Sequence, residues 1–251
     1  KNNRRWTTVN ASPDEASVPP CKRSLHVASV LNDKMLVFGG YDGSARVNDF
    51  HEYDFKTGVW SVIPPVGQLP TPRDRHISVV HGNSFYVFAG FDGTTRVNDF
   101  YEYSFDSHNW QPVVMLGGVA PSPRHSHAAV IHGCSMYCFG GYDGSHRADF
   151  HTFNFTTSAW GQVSTVGRAP RARYRATCVV HQKTMYLFGG HDGTRHLNDV
   201  HLFDFEECLW QMVATEGPSP IPRDSHVAVV HGQSMYIFGG STGSAMNDFH
   251  Q

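Results

Sequence analysis

The sequence predicts an all-β fold of the β-propeller type, because three independent markers recur with one period. Tryptophans stand at Trp6, Trp60, Trp110, Trp160 and Trp210, and after the first interval each spacing is 50 residues. Pairs of small residues recur in step at Gly39-Gly40, Ala89-Gly90, Gly140-Gly141, Gly189-Gly190 and Gly239-Gly240. Arginines recur in step at Arg23, Arg73, Arg124, Arg173 and Arg223. Repeats of this length indicate a solenoid or a propeller.

The second repeat illustrates why each unit is predicted to be a four-stranded sheet. Two short apolar runs, His76 to His81 and Phe85 to Phe88, are separated by a turn. Aromatic residues then alternate from Asn98 to Phe105, which is the period of a strand, and Trp110 opens a fourth apolar run. No segment shows a sustained helical period. Four short antiparallel strands in about 50 residues are typical of one propeller blade.

The repeats predict a single domain over residues 1–251 with five four-stranded blades. We place the blades at about 23–64, 73–115, 124–165, 173–215 and 223–251. The fifth repeat ends in its third strand, whereas residues 6–9 have the pattern of a fourth strand. We therefore expect residues 6–9 to complete the last blade, which would close the ring and leave no free sheet edge. A further blade preceding Lys1 is the alternative.

Composition excludes several classes of protein. The net charge is −2 and the pI about 6.8, so a general nucleic-acid binder, which needs an excess of basic residues, is not expected. No apolar run approaches the roughly 18 residues that span a membrane, so we expect no membrane insertion. Five cysteines without framework spacing favour reduced thiols and a cytoplasmic location, with the nucleus as an alternative.

The repeat resembles the kelch-repeat family. The resemblance rests on the double glycine after an apolar strand, the Tyr-Asp-Gly loop, the Asn-Asp start of the third strand and the tryptophan at a fixed distance. The resemblance covers almost the whole chain, and the repeat looks most like the subgroup that contains the leucine-zipper-like transcriptional regulator. Known propellers of this family mostly have six or seven blades, so five copies are a departure.

Three variable positions of the repeat are the candidate partner-binding positions. One directly follows the small-residue pair, and the other two are the first and second residues after the repeated arginine. Positions fixed by packing repeat between copies, whereas these differ and are free to specify a partner. Aromatic, Arg and Asp side chains are typical of interface hot spots. The predicted partner-binding residues are Tyr41, Asp74, Arg75, Phe91, His125, Tyr142, Tyr174, Arg175, His191 and Asp224.

Residues that recur in every copy are interpreted as structural. We expect the repeated arginines to bond carbonyl groups between blades and the loop aspartates, such as Asp42 and Asp92, to bond nearby backbone N–H groups. The loop arginines Arg46, Arg96, Arg147 and Arg195 either form a second basic ring or are solvated. The histidines mostly occupy equivalent positions of different blades, too far apart to share one metal ion.

These patterns predict a protein-interaction platform that binds a partner protein or peptide through the loop face, and no enzyme. The resemblance implies a substrate receptor of a ubiquitin ligase or an adaptor, with a link to cullins or small GTPases. One alternative is a structural subunit of a larger assembly. Another is a metal-dependent enzyme on a kelch scaffold, but the chain lacks the Tyr-His dipeptide of kelch-like copper oxidases. We expect no catalytic residues, no cofactor and no metal.

Overall fold

A computed structural model describes residues 8–9 and 17–251 of the chain. All regular secondary structure in this part of the chain is β-strand, and no helix within it is long and apolar enough to cross a membrane. The five cysteines are free. The strands fall into five antiparallel sheets, which form a ring, so the predicted five-bladed propeller is confirmed.

The blades follow one another in chain order, and within each blade the antiparallel strands are adjacent in sequence order. The first blade contains β1 (Val27–Leu31), β2 (Lys34–Tyr41), β3 (Arg46–Asp54) and β4 (Val59–Ile63). The second contains β5 (Ile77–His81), β6 (Ser84–Phe91), β7 (Arg96–Ser104) and β8 (Asn109–Pro112). The third contains β9 (Ala128–His132), β10 (Ser135–Phe139), β11 (Phe150–Asn154) and β12 (Ala159–Gln162). The fourth contains β13 (Val166–Gly167), β14 (Thr177–His181), β15 (Thr184–Phe188), β16 (Val200–Asp204) and β17 (Leu209–Val213), and the fifth contains β18 (Val227–His231), β19 (Ser234–Ser241) and β20 (Ala245–His250).

The first antiparallel strand of every blade is the innermost. Strands β1, β5, β9, β14 and β18 together line a central channel of about 270 Å³. The last blade has three strands among the described residues. Its predicted fourth strand, residues 6–9, lies partly outside them: Trp6 and Thr7 are not described, and Thr8 and Val9 are exposed and belong to no strand. Closure of the last blade by the N-terminal segment therefore stays a prediction.

A feature that the sequence did not predict is a parallel pairing at the outer edge of the blades. The linker that precedes a blade runs beside the fourth strand of that same blade, as in the parallel pairing of β13 with β17. Gly67 bridges to Trp110 and Gly117 to Ala159 in the same way. Gly118 has a φ of 75°, and a Cβ there would collide with the Trp160 carbonyl, so the linker requires glycine at this point.

The core lies between blades, where large aromatic side chains fill the wedge. Trp110 of the second blade packs on Phe38 and Phe50 of the first, with ring centroids 5.2 and 5.4 Å apart. Trp160 and Trp210 repeat this contact at the next two junctions. All three indoles are almost fully buried. Aromatic pairs at these distances stabilise beyond the area that they bury.

The small-residue pair lies where two blades approach each other. At Gly140, which has a φ of 68°, a Cβ would stand 2.7 Å from the backbone oxygen of Arg173 in the next blade. The second blade has Ala89 at this position, and it adopts a left-handed φ of 60°. The close approach of the blades thus explains the recurring glycine, and Ala89 is the single copy in which a side chain is accommodated.

The repeated arginines are structural, but their side chains do not bond between blades as expected. The Arg124 guanidinium donates to both carboxylate oxygens of Asp149, each at 2.7 Å, and to the Gly140 carbonyl at 2.9 Å, all within the third blade. Arg23, Arg73, Arg173 and Arg223 repeat the arrangement in their own blades. The contact between blades is made by the backbone, since the Arg124 carbonyl accepts from Gly90 N–H at 2.8 Å.

The aspartate of this fork is held ionised. Burial alone would raise the pKa of the Asp149 carboxyl. The hydrogen bonds from Arg124 and with His151 outweigh burial and hold the pKa well below its usual range. His151 Nε2 lies 2.9 Å from Asp149 Oδ2, which explains why a histidine recurs two residues after the aspartate. These histidines are structural partners of the fork.

A second set of histidines is buried beside the channel in the neutral form. Burial, aided by nearby arginines, lowers the pKa of His76 to about 3 and that of His226 to about 4, and it lowers the pKa of His127 well below the usual value. Each ring packs edge-on against a phenylalanine of the preceding blade, as His127 does against Phe88. In the fourth blade Ala176 takes this position, so the imidazole is not required for the fold.

Replacement of Trp110 by alanine should destabilise the protein by about 3–5 kcal/mol, because it opens a cavity between the first two blades. Trp60→Ala is the matched control: Trp60 occupies the same position of the first blade but is only partly buried, so its loss should cost less. Urea denaturation of both variants measures the difference. A loss below about 1 kcal/mol for Trp110→Ala would contradict the packing described above.

The free energy of unfolding should fall as the pH is lowered from 6.5 towards 4. In the unfolded chain, His76, His127 and His226 take up protons near pH 6.5, whereas in the folded chain the same histidines stay neutral to a lower pH. The contribution of the three histidines to the free energy of unfolding is therefore complete above pH 6.5 and is lost as the pH falls below it. Each histidine contributes a slope of about 1.4 kcal/mol per pH unit at most. The variant His127→Ala, which copies Ala176, should show a shallower slope. An equal slope in both proteins would be inconsistent with a neutral His127.

Candidate functional site

Two of the predicted partner-binding positions are neighbours in space. In each blade, the residue after the repeated arginine pairs with the residue after the small pair through two backbone hydrogen bonds. Asp74 and Phe91 exchange bonds of 3.0 and 2.9 Å, and His125 and Tyr142 do the same at 3.1 and 3.0 Å. The remaining pairs are Ser24 with Tyr41, Tyr174 with His191 and Asp224 with Ser241. These pairs contain eight of the ten predicted residues, and the other two, Arg75 and Arg175, directly follow Asp74 and Tyr174. All ten therefore lie on one face, here called the loop face.

The second residue after each repeated arginine forms a collar around the channel mouth. All five collar residues have a left-handed φ of 55–58°: Leu25, Arg75, Ser126, Arg175 and Ser225. Hydrogen bonds link consecutive members, since Ser126 N–H donates to the Arg75 carbonyl and Arg175 N–H to the Ser126 carbonyl, both at 2.8 Å. The collar thus holds Arg75 and Arg175 at the mouth on a fixed backbone.

Aromatic and imidazole rings form a continuous arc beside the collar across the second, third and fourth blades. His125 lies 5.5 Å from the Tyr142 ring, and Tyr142 lies 6.1 Å from Tyr174. His191 is 5.7 Å from Tyr174 and Phe91 is 6.4 Å from His125. All five rings are half-buried, so each exposes part of its surface to solvent. The backbone that carries these rings is held by the hydrogen bonds described above.

Two members of this arc were missed by the sequence analysis. His146 lies 5.2 Å from both Tyr142 and Tyr174, and His196 lies 4.8 Å from His191. Both belong to the loop after the small-residue pair. The signal that could have found them is the same variability between copies, because the position of His146 is Ala45 or Thr95 in the first two blades and the position of His196 is Arg46 or Arg96.

The loop arginines do not form the second basic ring that was one of the two alternatives. Arg46 and Arg96 reach the loop face of the next blade, where Arg46 lies 4.6 Å above the Phe91 ring and Arg96 lies 5.4 Å from the Tyr142 ring. Arg147 and Arg195 instead turn towards aspartates of their own loops. The loop aspartates cap their turns as predicted. Asp42, for example, accepts hydrogen bonds from the backbone N–H groups of Ser44 and Ala45 at 2.7 Å each.

Asp74 and Asp224, predicted to contact a partner, are buried. Asp74 lies between Arg46 and Arg75, at 3.2 and 3.1 Å, and so fixes two guanidinium groups on the loop face. Asp224 lies 3.8 Å from Arg175 and 3.5 Å from His196. Their position corrects the prediction of direct contact, since both carboxylates act beneath the surface on the arginines above them.

Arginines outnumber carboxylates at the centre of the loop face, where Asp74 and Asp224 are the carboxylates beside them. Burial is the main cause that lowers the pKa of His125 to about 4, and the positive charges of Arg75, Arg96 and Arg175 lower it further. Three guanidinium groups therefore surround one neutral imidazole. Arg96 makes no ion pair with any residue of the described chain. This arrangement leaves positive charge available to an external anionic group.

The structure offers no arrangement for metal chemistry on this face. Within residues 8–9 and 17–251, no group of three or more His, Cys, Asp or Glu side chains is placed to hold a metal ion. The histidines of the arc contact aromatic rings and backbone groups; His191 Nδ1, for example, accepts from Gly193 N–H at 2.9 Å. The chemistry that the face provides is stacking, hydrogen bonding and charge.

Comparison with known proteins identifies relatives along the whole chain. The chain matches the sequence model of the KLHDC2/KLHL20/DRC7 Kelch-repeats domain over residues 1–190 and again over 113–251. It is 30% identical to human Host cell factor 2 over 182 residues, which is 64% of this chain and 16% of that protein. It is 32% identical to the Leucine-zipper-like transcriptional regulator 1 homolog of Drosophila melanogaster over 155 residues, 59% of this chain and 11% of that protein.

A third relative is Acyl-CoA-binding domain-containing protein 5 of Arabidopsis thaliana, 27% identical over 150 residues, or 59% of this chain and 23% of that protein. The chain thus spans less than a quarter of the length of each of these relatives. The propeller, the double glycine and the buried tryptophans described above agree with the family model, which matches along the whole chain. The chain belongs to the kelch-repeat family of β-propellers.

Proposed function

We propose that this kelch propeller binds a partner protein or peptide through its loop face, as a substrate receptor or an adaptor. Kelch propellers are generally protein-interaction domains, and they are generally not enzymes. The observation that carries the proposal is the continuous arc of half-buried rings, bordered by arginines whose positions are fixed by buried aspartates. Rigid aromatic and Arg anchors at the centre of a surface are typical of binding hot spots.

The charge of the loop face supports a partner segment that carries a carboxylate or a phosphate. Arg75 and Arg175 project from the collar, and Arg96 stands above the arc without a carboxylate partner among the described residues. A guanidinium binds such groups through two parallel hydrogen bonds. The backbone of the collar is already ordered, so binding would require little rearrangement.

The equivalent positions of other blades supply a test that preserves the fold. The collar position is serine in two blades, at Ser126 and Ser225, and the position of Tyr142 is Ser241 in the fifth blade. The triple variant Arg75→Ser, Tyr142→Ser, Arg175→Ser therefore uses only residues that the repeat already accommodates. We expect it to abolish partner binding and to leave the Tm nearly unchanged.

Binding is measured by affinity purification from the native cell, followed by mass spectrometry and titration of the recovered partner. The matched control replaces two cations and one aromatic ring on the opposite face, Lys56, Lys183 and Phe55, all exposed. The control should bind normally. Normal binding by the loop-face variant would contradict the assignment of the binding site to the loop face. Recovery of a cullin would assign the receptor role, and recovery of a stable multi-subunit assembly would favour the structural-subunit alternative.

A further inference from the structure

On the face opposite the loop face, two junctions between blades carry the same cluster of three rings. His81 of the second blade stacks face to face on Phe155 of the third, with the ring centroids 4.3 Å apart and the planes at 12°, and Tyr86 lies 4.7 Å from the same phenylalanine. The next junction repeats this cluster at 4.0 and 4.7 Å with His132, Tyr137 and Phe205. A phenylalanine of one blade is thus covered by a histidine and a tyrosine of the preceding blade.

The junction between the first and second blades has the phenylalanine but neither of the two rings that cover it. Leu31 takes the position of His81 and Leu36 that of Tyr86, whereas Phe105 is present as in the other clusters. The four other blades all have histidine and tyrosine at these two positions. The structure has a pocket of about 310 Å³ at this point, here called the Phe105 pocket, which is lined by Leu31, Leu36 and Phe105.

The rim of the Phe105 pocket is polar and charged. Lys56 pairs with Asp33 at 2.5 Å, and the Asp54 carboxylate caps the turn that follows β3. The residues that form the rim are Asn32, Asp33, Lys34, Asp54, Lys56 and Asn83. Ligand sites of roughly 300–1,000 Å³ typically combine apolar and aromatic walls with a few polar groups that fix orientation. The Phe105 pocket has both features.

A carboxylate beside the Phe105 pocket has no tyrosine partner, although its counterpart in the second blade has one. There, Tyr86 O–H donates to Glu102 Oε1 at 3.1 Å, from the position directly across the strand pair. In the first blade, Glu52 stands across from Leu36 in the same register, and Lys34 Nζ donates to Glu52 Oε1 at 2.6 Å. The carboxylate and the ammonium group therefore offer a hydroxyl one acceptor and one donor.

We propose that the Phe105 pocket binds a tyrosine side chain of a partner polypeptide. The phenol ring stacks on Phe105, in the space that histidine and tyrosine rings fill at the next two junctions, and its hydroxyl group bonds with Glu52 and Lys34. Tyrosine is the occupant because the structure already places tyrosines of its own against the equivalent phenylalanines. The side-chain amides of Asn32 and Asn83 on the rim suit the peptide groups on either side of the inserted residue.

A blocked tripeptide tests the binding directly. The probe is N-acetyl-Gly-Tyr-Gly-amide, titrated into the isotope-labelled full chain and followed by the amide NMR signals of Leu31, Lys34 and Phe105. We expect saturable shifts of these signals. The matched peptide with phenylalanine should bind about tenfold more weakly, because it lacks the hydroxyl group. Absence of saturable shifts with the tyrosine peptide, or equal affinity of the two peptides, would contradict the proposal.

A variant that refills the pocket uses only residues that the four other blades have at these positions. Leu31→His, Leu36→Tyr restores the histidine and the tyrosine beside Phe105, so the fold should accommodate both. We expect this variant to lose binding of the tyrosine tripeptide and to keep or raise the Tm. Undiminished binding by the refilled protein would overturn the proposal.

The reciprocal variant empties the corresponding space at the second junction. His81→Leu, Tyr86→Leu uncovers Phe155 and leaves Glu102 without its tyrosine, as Glu52 is in the first blade. We expect the chain to bind two equivalents of the tripeptide in place of one. A folded variant that still binds a single equivalent, with the signal of Phe155 unshifted, would be inconsistent with the proposal.

A free phenol separates a polypeptide partner from a small molecule. If p-cresol gives saturable shifts at Phe105 and the tyrosine tripeptide gives none, the pocket accepts a free phenolic molecule and the proposed polypeptide partner is wrong. The loop-face triple variant should bind the tripeptide as the native protein does, because the Phe105 pocket lies at the other end of the strands. Failure of this proposal is therefore distinguishable from failure of the proposed function.

Discussion

The buried fork between a repeated arginine and an aspartate is the interaction on which each blade depends. Arg124 is almost fully buried and holds three points of its blade at once: the Asp149 carboxylate, the Gly140 carbonyl and the carbonyl of Ser122. Removal of one partner of such a pair typically costs about 3–5 kcal/mol, because an uncompensated charge remains buried. The backbone of the same arginine joins its blade to the preceding one. One residue thus holds the strands of its own blade together and joins that blade to the preceding one.

This constraint explains where variation is tolerated. The arginine, the small-residue pair and the tryptophan each satisfy a geometric requirement at a junction, so they recur. The residues immediately after the arginine lie beyond the fork, on a backbone that the fork and the collar have already fixed. Their side chains can change without loss of the fold, as the alternation of arginine and serine in the collar shows. A rigid scaffold with freely varied side chains is suited to the recognition of other proteins.

Much of the fold follows from the sequence, because the period of the markers and the alternation of apolar residues are local properties. The five sheets and the turn aspartates were predicted in this way. The acceptors of the repeated arginines were not, because a repeat aligns equivalent positions but does not show how far a long side chain reaches. The parallel linker strand was also missed, since it depends on glycine at Gly67 and Gly118 meeting a distant carbonyl.

The candidate site was predicted in the same partial way. Variability between copies located the loop face and ten of its residues. It did not separate exposed from buried members, so Asp74 and Asp224 were assigned to contact although they lie beneath the arginines. It also missed His146 and His196, whose place in the arc depends on contacts between adjacent blades.

The linker strand has a consequence for the behaviour of the protein at high concentration. An outer strand with unpaired N–H and C=O groups is a template for the addition of strands from other molecules, and hence for aggregation. By running parallel to β4, β8, β12 and β17, the linkers occupy part of each of these edges. A connection that is needed to join successive blades therefore also shields part of their outer edges from strand addition by other molecules.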